Sequence, residues 1–228
     1  MWKNDKELFQ LMRSRLFTAV VGDILDTLGY LHQFVSPAIK PLHPDMVVAG
    51  RAMTVLEADV YEQRSTSGRT AIGEKPFGIM FEALDSLQED EVYITTGSSL
   101  RYALWGGLMS TRAMHLHAAG AVLDGFVRDS AEILELGLPT FSHGTYAQDQ
   151  GPRGKVIDFR VPIEFHGVAV KPGDIVYGDR DGLLIIPREI EGEAISRALE
   201  KVNTESDVRR AIKDGMSTVE AFEKFGVM

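Results

Sequence analysis

The stretch WGGLMSTRAMHLHAAGAVLDGFVRD, Trp105 to Asp129, carries two kinds of local order in one run. Gly106 and Gly107 lead straight into an amphipathic segment predicted as a helix over 106–119. The apolar Ala121–Leu123 that follows reads as a buried strand, stopped by the tight pair Asp124-Gly125. Helix delivered directly into buried strand points to helices packed on a sheet. The same run holds the chemistry. Backbone N–H groups at a helix start with no side chain in front of them form a ready anion site. The turn after the strand presents Arg128-Asp129. The planar guanidinium suits a carboxylate, and the aspartate can hold a hard divalent cation through oxygen while water and substrate complete the shell. Helix amides, one arginine and one aspartate-held cation suit a small 2-oxo acid. Its carboxylate would meet the amides and Arg128, and its keto oxygen would meet the metal.

Working outward, the pattern stays mixed. Leu8, Phe9, Met12, Leu16, Val20, Val21, Ile24 and Leu25 recur at spacings of three and four, which predicts two N-terminal helices broken between 14 and 18. Thr18 suits the N-cap of the second helix and Gly29 its stop. Met46–Leu56 reads as a strand with Gly50 as a bulge, 61–75 as a surface loop, and Pro76–Leu87 as a helix with proline at its first position. Gly68 to Lys75 has the spacing of a phosphate-binding P-loop, but Glu74 stands where that motif needs lysine, so the motif is rejected. Strands are predicted at Val92–Thr96, Val156–Ile163, Val168–Val170, Asp174–Tyr177 and Leu183–Ile186, and helices at Ser130–Leu136, Glu189–Lys213 and Ser217–Phe225. The sum is a single α/β domain over 1–228 with helices at both ends.

Composition narrows the chemistry. The chain of 228 residues has 24 Lys plus Arg against 33 Asp plus Glu, a formal net charge of −9. That balance argues against direct nucleic-acid binding, which relies on basic surface to release counterions. It leaves room for a local cationic pocket. The absence of cysteine removes disulfides, thiolate nucleophiles and Cys-ligated metals, so any metal sits on oxygen or imidazole. The start, MWKNDKELFQ, does not read as a signal peptide, and no apolar run approaches the roughly 20 residues of a membrane helix, so a cytoplasmic location without membrane attachment is expected. His115 and His117 are two apart on a predicted helix and face different ways. His143 is placed either at the pocket border or in a hydrogen-bonded loop. Asp179, Arg180 and Asp181 before Gly182, and Asp124 before Gly125, read as turn chemistry. The helix from Glu189 reads as a solvated face whose stripe Ile195, Leu199, Val202 could serve a subunit contact.

Leu104–Met109 (LWGGLM), Val122–Asp129 (VLDGFVRD), Val170–Pro187 (VKPGDIVYGDRDGLLIIP) and Phe17–Asp26 together resemble the RraA-like family, and the likeness spans nearly the whole chain. That family includes class II pyruvate aldolases that cleave 4-hydroxy-4-methyl-2-oxoglutarate and 4-carboxy-4-hydroxy-2-oxoadipate. The resemblance implies a β/β/α swivelling-type sandwich, ring-shaped homotrimers that sometimes pair into hexamers, and a pocket at a subunit boundary. It implies that the backbone N–H groups of Gly107, Leu108 and Met109 receive the substrate carboxylate. Arg128 would pair with that carboxylate and with the developing enolate oxygen, and Asp129 would hold Mg²⁺ or Mn²⁺. The implied activity is a metal-dependent carbon–carbon lyase on 2-oxo acids, of aldolase or oxaloacetate decarboxylase type. The aldolases carry an acid twenty residues before Arg-Asp; here that position is Gly107, so the proton-handling part is expected to be missing. The RNase E regulators of the family lack the aspartate after the arginine, which this chain keeps. The alternative implied by the family is therefore a non-catalytic regulator that binds a protein partner such as an RNase.

Overall fold

A computed structural model describes residues 2–60 and 74–227; all but the last two residues of the loop expected at 61–75, with most of the P-loop-like stretch, lie outside the described residues. Helix α1 (Asp5–Arg15) starts at Asn4, whose side chain accepts from the Glu7 N–H at 2.9 Å, with acids in its first turn and arginines in its last. Helix α2 (Thr18–Thr27) follows after the expected break. Its cap corrects the sequence reading. Phe17, not Thr18, occupies the N-cap, and the capping group is the Asp179 carboxylate. It accepts from the Thr18 N–H and from Thr18 Oγ1, both at 2.7 Å. Asp179 also accepts from the Asp181 N–H at 2.9 Å, so the 179–182 turn closes on itself and caps a distant helix with one carboxylate.

The main sheet is built on β2 (Val48–Asp59). Strands β3 (Glu91–Thr96), β5 (Gly120–Leu123) and β7 (Thr140–Ser142) run parallel to it in succession, and β1 (Lys40–Pro41) closes that edge antiparallel to β7. On the other side β2 pairs antiparallel with β11 (Ile175–Gly178) along its first half and with β8 (Gly154–Phe159) along its second, and β12 (Leu183–Ile186) pairs β11. Two small pairs complete the strands. They are β4 (Ala103–Trp105) parallel to β6 (Phe126–Val127), and the hairpin of β9 (Ile163–Phe165) with β10 (Val168–Val170). The remaining helices are α3 (Met80–Asp85), α4 (Gly107–His115), α5 (Ser130–Leu136), α6 (Glu191–Lys213) and α7 (Thr218–Phe225).

Alternation along β2 sorts its side chains into layers. Ala52 packs with Val92, Ile94 and Val122 under the β9–β10 hairpin. Met53 and Val55 face the opposite way, with Tyr93, Ala121 and Leu123, into the core beneath α3, α4 and α5. Ala49, Ile175, Tyr177 and Leu184 meet α1, α2 and α6. This is the expected α/β sandwich, a hairpin layer and a helical layer on one sheet, with helices at both ends. Ile195 is fully buried in the helical core, and Leu199 and Val202 pack against it, so the apolar stripe of α6 is used within the chain. Among the described residues no helix is long and apolar enough to cross a membrane.

Several predicted boundaries move, each for a local reason. Gly50 is not a bulge. It sits in regular register with Val176, and the irregularity in β2 falls between Leu56 and Glu57. Glycine is required there because a Cβ would stand 2.5 Å from the Asp90 carbonyl. The helix expected from Pro76 begins only at Met80, since the Ile79 N–H donates to the Val156 carbonyl (3.0 Å) and Gly78 turns through φ +65°. The strand expected over Val156–Ile163 divides into β8 and β9 around Arg160, which sits at φ 57°.

Arg51 projects from β2 between the starts of α1 and α6. Its guanidinium donates to both Asp5 oxygens at 2.8 and 2.7 Å and pairs with Glu191, while only 12% of its side chain is exposed. The Arg51 hydrogen bonds hold the Asp5 carboxyl below its ordinary range. Arg51→Met should therefore cost about 2 kcal/mol in urea unfolding at neutral pH, because it leaves the largely buried Glu191 carboxylate without its partner, while Asp5, about half exposed, is rehydrated. The Asp5 share of that stabilisation is present above the ordinary carboxylate pKa and is lost as pH falls through the depressed folded value. The gap between wild type and variant should narrow on acidification.

Candidate active site

The site forms where β4 and β6 end side by side. Trp105 is in register with Val127, and the Arg128 N–H donates to the Trp105 carbonyl at 2.9 Å. The glycine pair and the Arg-Asp pair thus leave their strands as neighbours. Buried Trp105 fixes the start of α4, because its indole N–H donates to Ser110 Oγ (2.7 Å) and that hydroxyl donates to the Gly106 carbonyl (3.0 Å). Asp129 sits in the left-handed region, φ 56° and ψ 36°, a conformation a β-carbon makes costly and one often found where function dictates geometry. It does not cap its own helix α5. Its Oδ2 instead accepts the Gly107 N–H at 3.1 Å. A Cβ on Gly106 would stand 2.7 Å from that oxygen, so glycine is needed there for the carboxylate to reach the helix.

Arg128 lies between two carboxylates. Its Nη1 donates to Asp149 Oδ1 at 2.8 Å, its Nε is 3.9 Å from Asp129 Oδ2, and Asp149 Oδ2 accepts the Gly151 N–H at 2.8 Å. These groups rim a cavity of about 230 Å³ with Phe77, Trp105 and Met109 among its walls. That volume lies below the roughly 300–1,000 Å³ of drug-sized sites and suits a small ligand.

Of the residues expected to act, Arg128, Asp129, Leu108 and Met109 line this cavity. Gly107 does not, and its N–H is already engaged by Asp129, so Leu108 and Met109 supply the first-turn amides without partners among the described residues. His143 is not in the lining; it faces Asp124 at 3.1 Å.

Two acids escaped the sequence reading. The Glu132 carboxylate, from the first turn of α5, fills the space that a side chain on Gly107 would enter. An acid therefore stands directly in front of Gly107, delivered from α5. Glu57 is fully buried behind the cavity, accepting from Thr95 Oγ1 at 3.2 Å and from Nε2 of the cavity residue Gln150 at 2.8 Å. Its pKa is pushed up to about 8, mainly by burial, with the Asp59 charge adding to it. No sequence period marks either residue; each is identified only by what the fold sets beside it.

The residues present are compatible with a hard divalent cation only through Asp129: about half of its side chain is exposed, so one oxygen can join a shell otherwise filled by water and ligand, while among the described residues the acids beside Arg128 form no converging group of three ligands.

The fold and site define an α/β sandwich protein in which an Arg-Asp turn is held against a glycine-opened helix beside a small cavity. Residues 18–185 match the RraA-like family, described as Aldolase/RraA, and the chain belongs to that family. Among its relatives, a Halalkalibacterium halodurans protein named "Putative 4-hydroxy-4-methyl-2-oxoglutarate aldolase" is 30% identical over 205 residues, covering 90% of this chain and 89% of that one. Protein DlpA of Legionella pneumophila is 27% identical over 209 residues; the match takes in 91% of this chain but spans only 32% of DlpA. The crystal structure of Streptomyces coelicolor RraAS2, an unusual member of the RNase ES inhibitor RraA protein family, shares the fold at TM-score 0.75 and 24% identity, covering 92% of this chain and 99% of that one.

Glu57 gives the site a measurable signature. A carboxyl with a raised folded pKa stabilises the native state fully below its ordinary pKa, and that contribution is lost as pH rises toward 8. Stability of the wild type should fall across that window by up to about 1.4 kcal/mol per pH unit, and Glu57→Gln should flatten the profile in chemical denaturation.

Proposed function

We propose that this chain is a divalent-metal-dependent carbon–carbon lyase acting on small 2-oxo acids, with 4-hydroxy-4-methyl-2-oxoglutarate-type aldol cleavage and oxaloacetate decarboxylation as its two reactions. The observation that carries the reading is the Asp129 carboxylate held by the Gly107 amide beside Arg128, at the mouth of a cavity of small-acid size. The relative named as an aldolase supports the same direction. The working form is an oligomer, a homotrimer or hexamer, in keeping with the family resemblance.

Asp129 would hold Mg²⁺ or Mn²⁺, mostly through waters, and the cation when bound supplies a Lewis acid for the substrate keto group. The chain's own groups do the rest. The Leu108 and Met109 amides receive the substrate carboxylate at the positive end of α4. Arg128 exchanges part of its contact with Asp149 for the substrate and stabilises the negative charge that develops at the C2 oxygen. In decarboxylation the C3–C4 bond breaks, CO₂ leaves, and the electron pair passes toward C2. A proton then adds at C3 to give pyruvate. Aldol cleavage also needs a base for the C4 hydroxyl proton, and Glu132 is the acid beside Gly107 able to take it, directly or through water.

Pyruvate release from oxaloacetate should require Mg²⁺ and should vanish in Asp129→Ala. Arg128→Ala should lower kcat roughly 100- to 1,000-fold, the scale of a lost oxyanion donor. If wild type and Asp129→Ala are equally inactive on several 2-oxo acids, the lyase reading fails and the regulator reading takes its place. Glu132→Gln should depress aldol cleavage at least tenfold, the lower end of what a general base contributes being about 100-fold, while leaving decarboxylation near wild type. Equal loss in both reactions, or in neither, would show that Glu132 handles no proton in the cleavage.

A further inference from the structure

A second group of ligating side chains lies outside the Arg128 cavity. Asp124 ends β5, His143 follows β7, and His166 sits in the turn of the β9–β10 hairpin, so the fold draws them from three separate strand ends. Their ligand atoms all lie within 4.8 Å of one another. Both imidazole Nε2 atoms converge on the same oxygen, Asp124 Oδ1, at 3.1 Å from His143 and 2.9 Å from His166. The other carboxylate oxygen is held away from them, accepting from Thr96 Oγ1 at 2.8 Å.

From this geometry we infer a two-histidine, one-carboxylate binding site for a first-row divalent transition metal, with Zn²⁺ as its simplest occupant. Two ligands each about 2.1 Å from a tetrahedral metal lie about 3.4 Å apart, so each nitrogen, now 3.1 and 2.9 Å from Asp124 Oδ1, needs to move only a few tenths of an ångström to admit the ion. Imidazole paired with a single carboxylate selects Zn²⁺, Fe²⁺ or Co²⁺ rather than Mg²⁺, and the arrangement leaves other coordination positions to water or a small ligand. The side chains are only 12, 22 and 25% exposed for His143, Asp124 and His166, sheltered yet reachable.

The backbone at His166 points the same way. His166 (φ 51°) and Gly167 (φ 83°) form a two-residue hairpin link with both residues at positive φ, a position filled most readily by Asn, Asp or Gly. Histidine there gives up turn preference and gains a ligand over the sheet ends. A bound ion would pin the hairpin to β5 and β7. This site is separate from Asp129 and does not depend on the lyase reading.

The test is a Co²⁺ titration of the full chain, followed by visible absorption and by metal analysis after dialysis. The expected result is d–d absorption saturating at one Co²⁺ per chain, abolished by competing Zn²⁺, with a rise in the thermal midpoint on Zn²⁺ addition. His166→Gln, in an exposed turn, and His143→Gln should each weaken binding at least tenfold with unchanged circular dichroism. Asp129→Ala should leave it intact. The inference is overturned if the wild type takes up no Co²⁺ or Zn²⁺ at millimolar concentration. It is also overturned if uptake survives in both histidine variants, which would assign it to Asp129 or to the other four of the six histidines.

Discussion

The fold hangs on one strand. β2 runs for twelve residues and pairs with β3 on one edge and with both β11 and β8 on the other, so strands from the middle and the end of the chain share its hydrogen bonds. Its alternation gives each layer of the sandwich its share of core, and Arg51 ties it to α1 and α6 through Asp5 and Glu191. Its far end carries Glu57 beneath the cavity. Burial of a strand on both faces leaves little room for error, which is why Gly50 is needed where the Asp90 carbonyl presses close.

The site shows how a carboxylate can be kept available inside an acidic chain. Arg128 is balanced by Asp149 and approached by Asp129, so its charge is neutralised by groups a substrate carboxylate could displace. Asp129 is positioned by its backbone, in the left-handed region, and by a helix amide rather than by burial. The net charge of −9 and a half-buried arginine at the cavity coexist because that cation is local and screened by its own neighbours. Glu132 changes the meaning of Gly107. A position that looked vacated by an acid is open because another acid occupies the space in front of it.

Much of this was legible in the chain. The helix pattern from Leu8 to Leu25, the helix at Ser130–Leu136, and the order glycine pair, helix, buried strand, Arg-Asp all follow from periodicity and turn chemistry within a few residues. Thr18 was misread as a cap because Asp179, 161 residues away, does that work. The strand split at Arg160 was invisible for a similar reason: positive φ at a non-glycine residue follows from what it must pack against, here Arg160 reaching Glu91 at 2.7 Å.

The sequence by itself determined the class of fold and the family, and pointed to Arg128 and Asp129 as neighbours at the end of a strand, because these are written in local spacing and in short motifs. Tertiary structure alone decided which amide Asp129 would hold, that Glu132 would stand in front of Gly107, that Glu57 would be driven toward a neutral acid, and that Asp124, His143 and His166 would meet. Each of those depends on groups from different strand or helix ends brought within hydrogen-bond reach, and no spacing along the chain encodes a distance across a sheet.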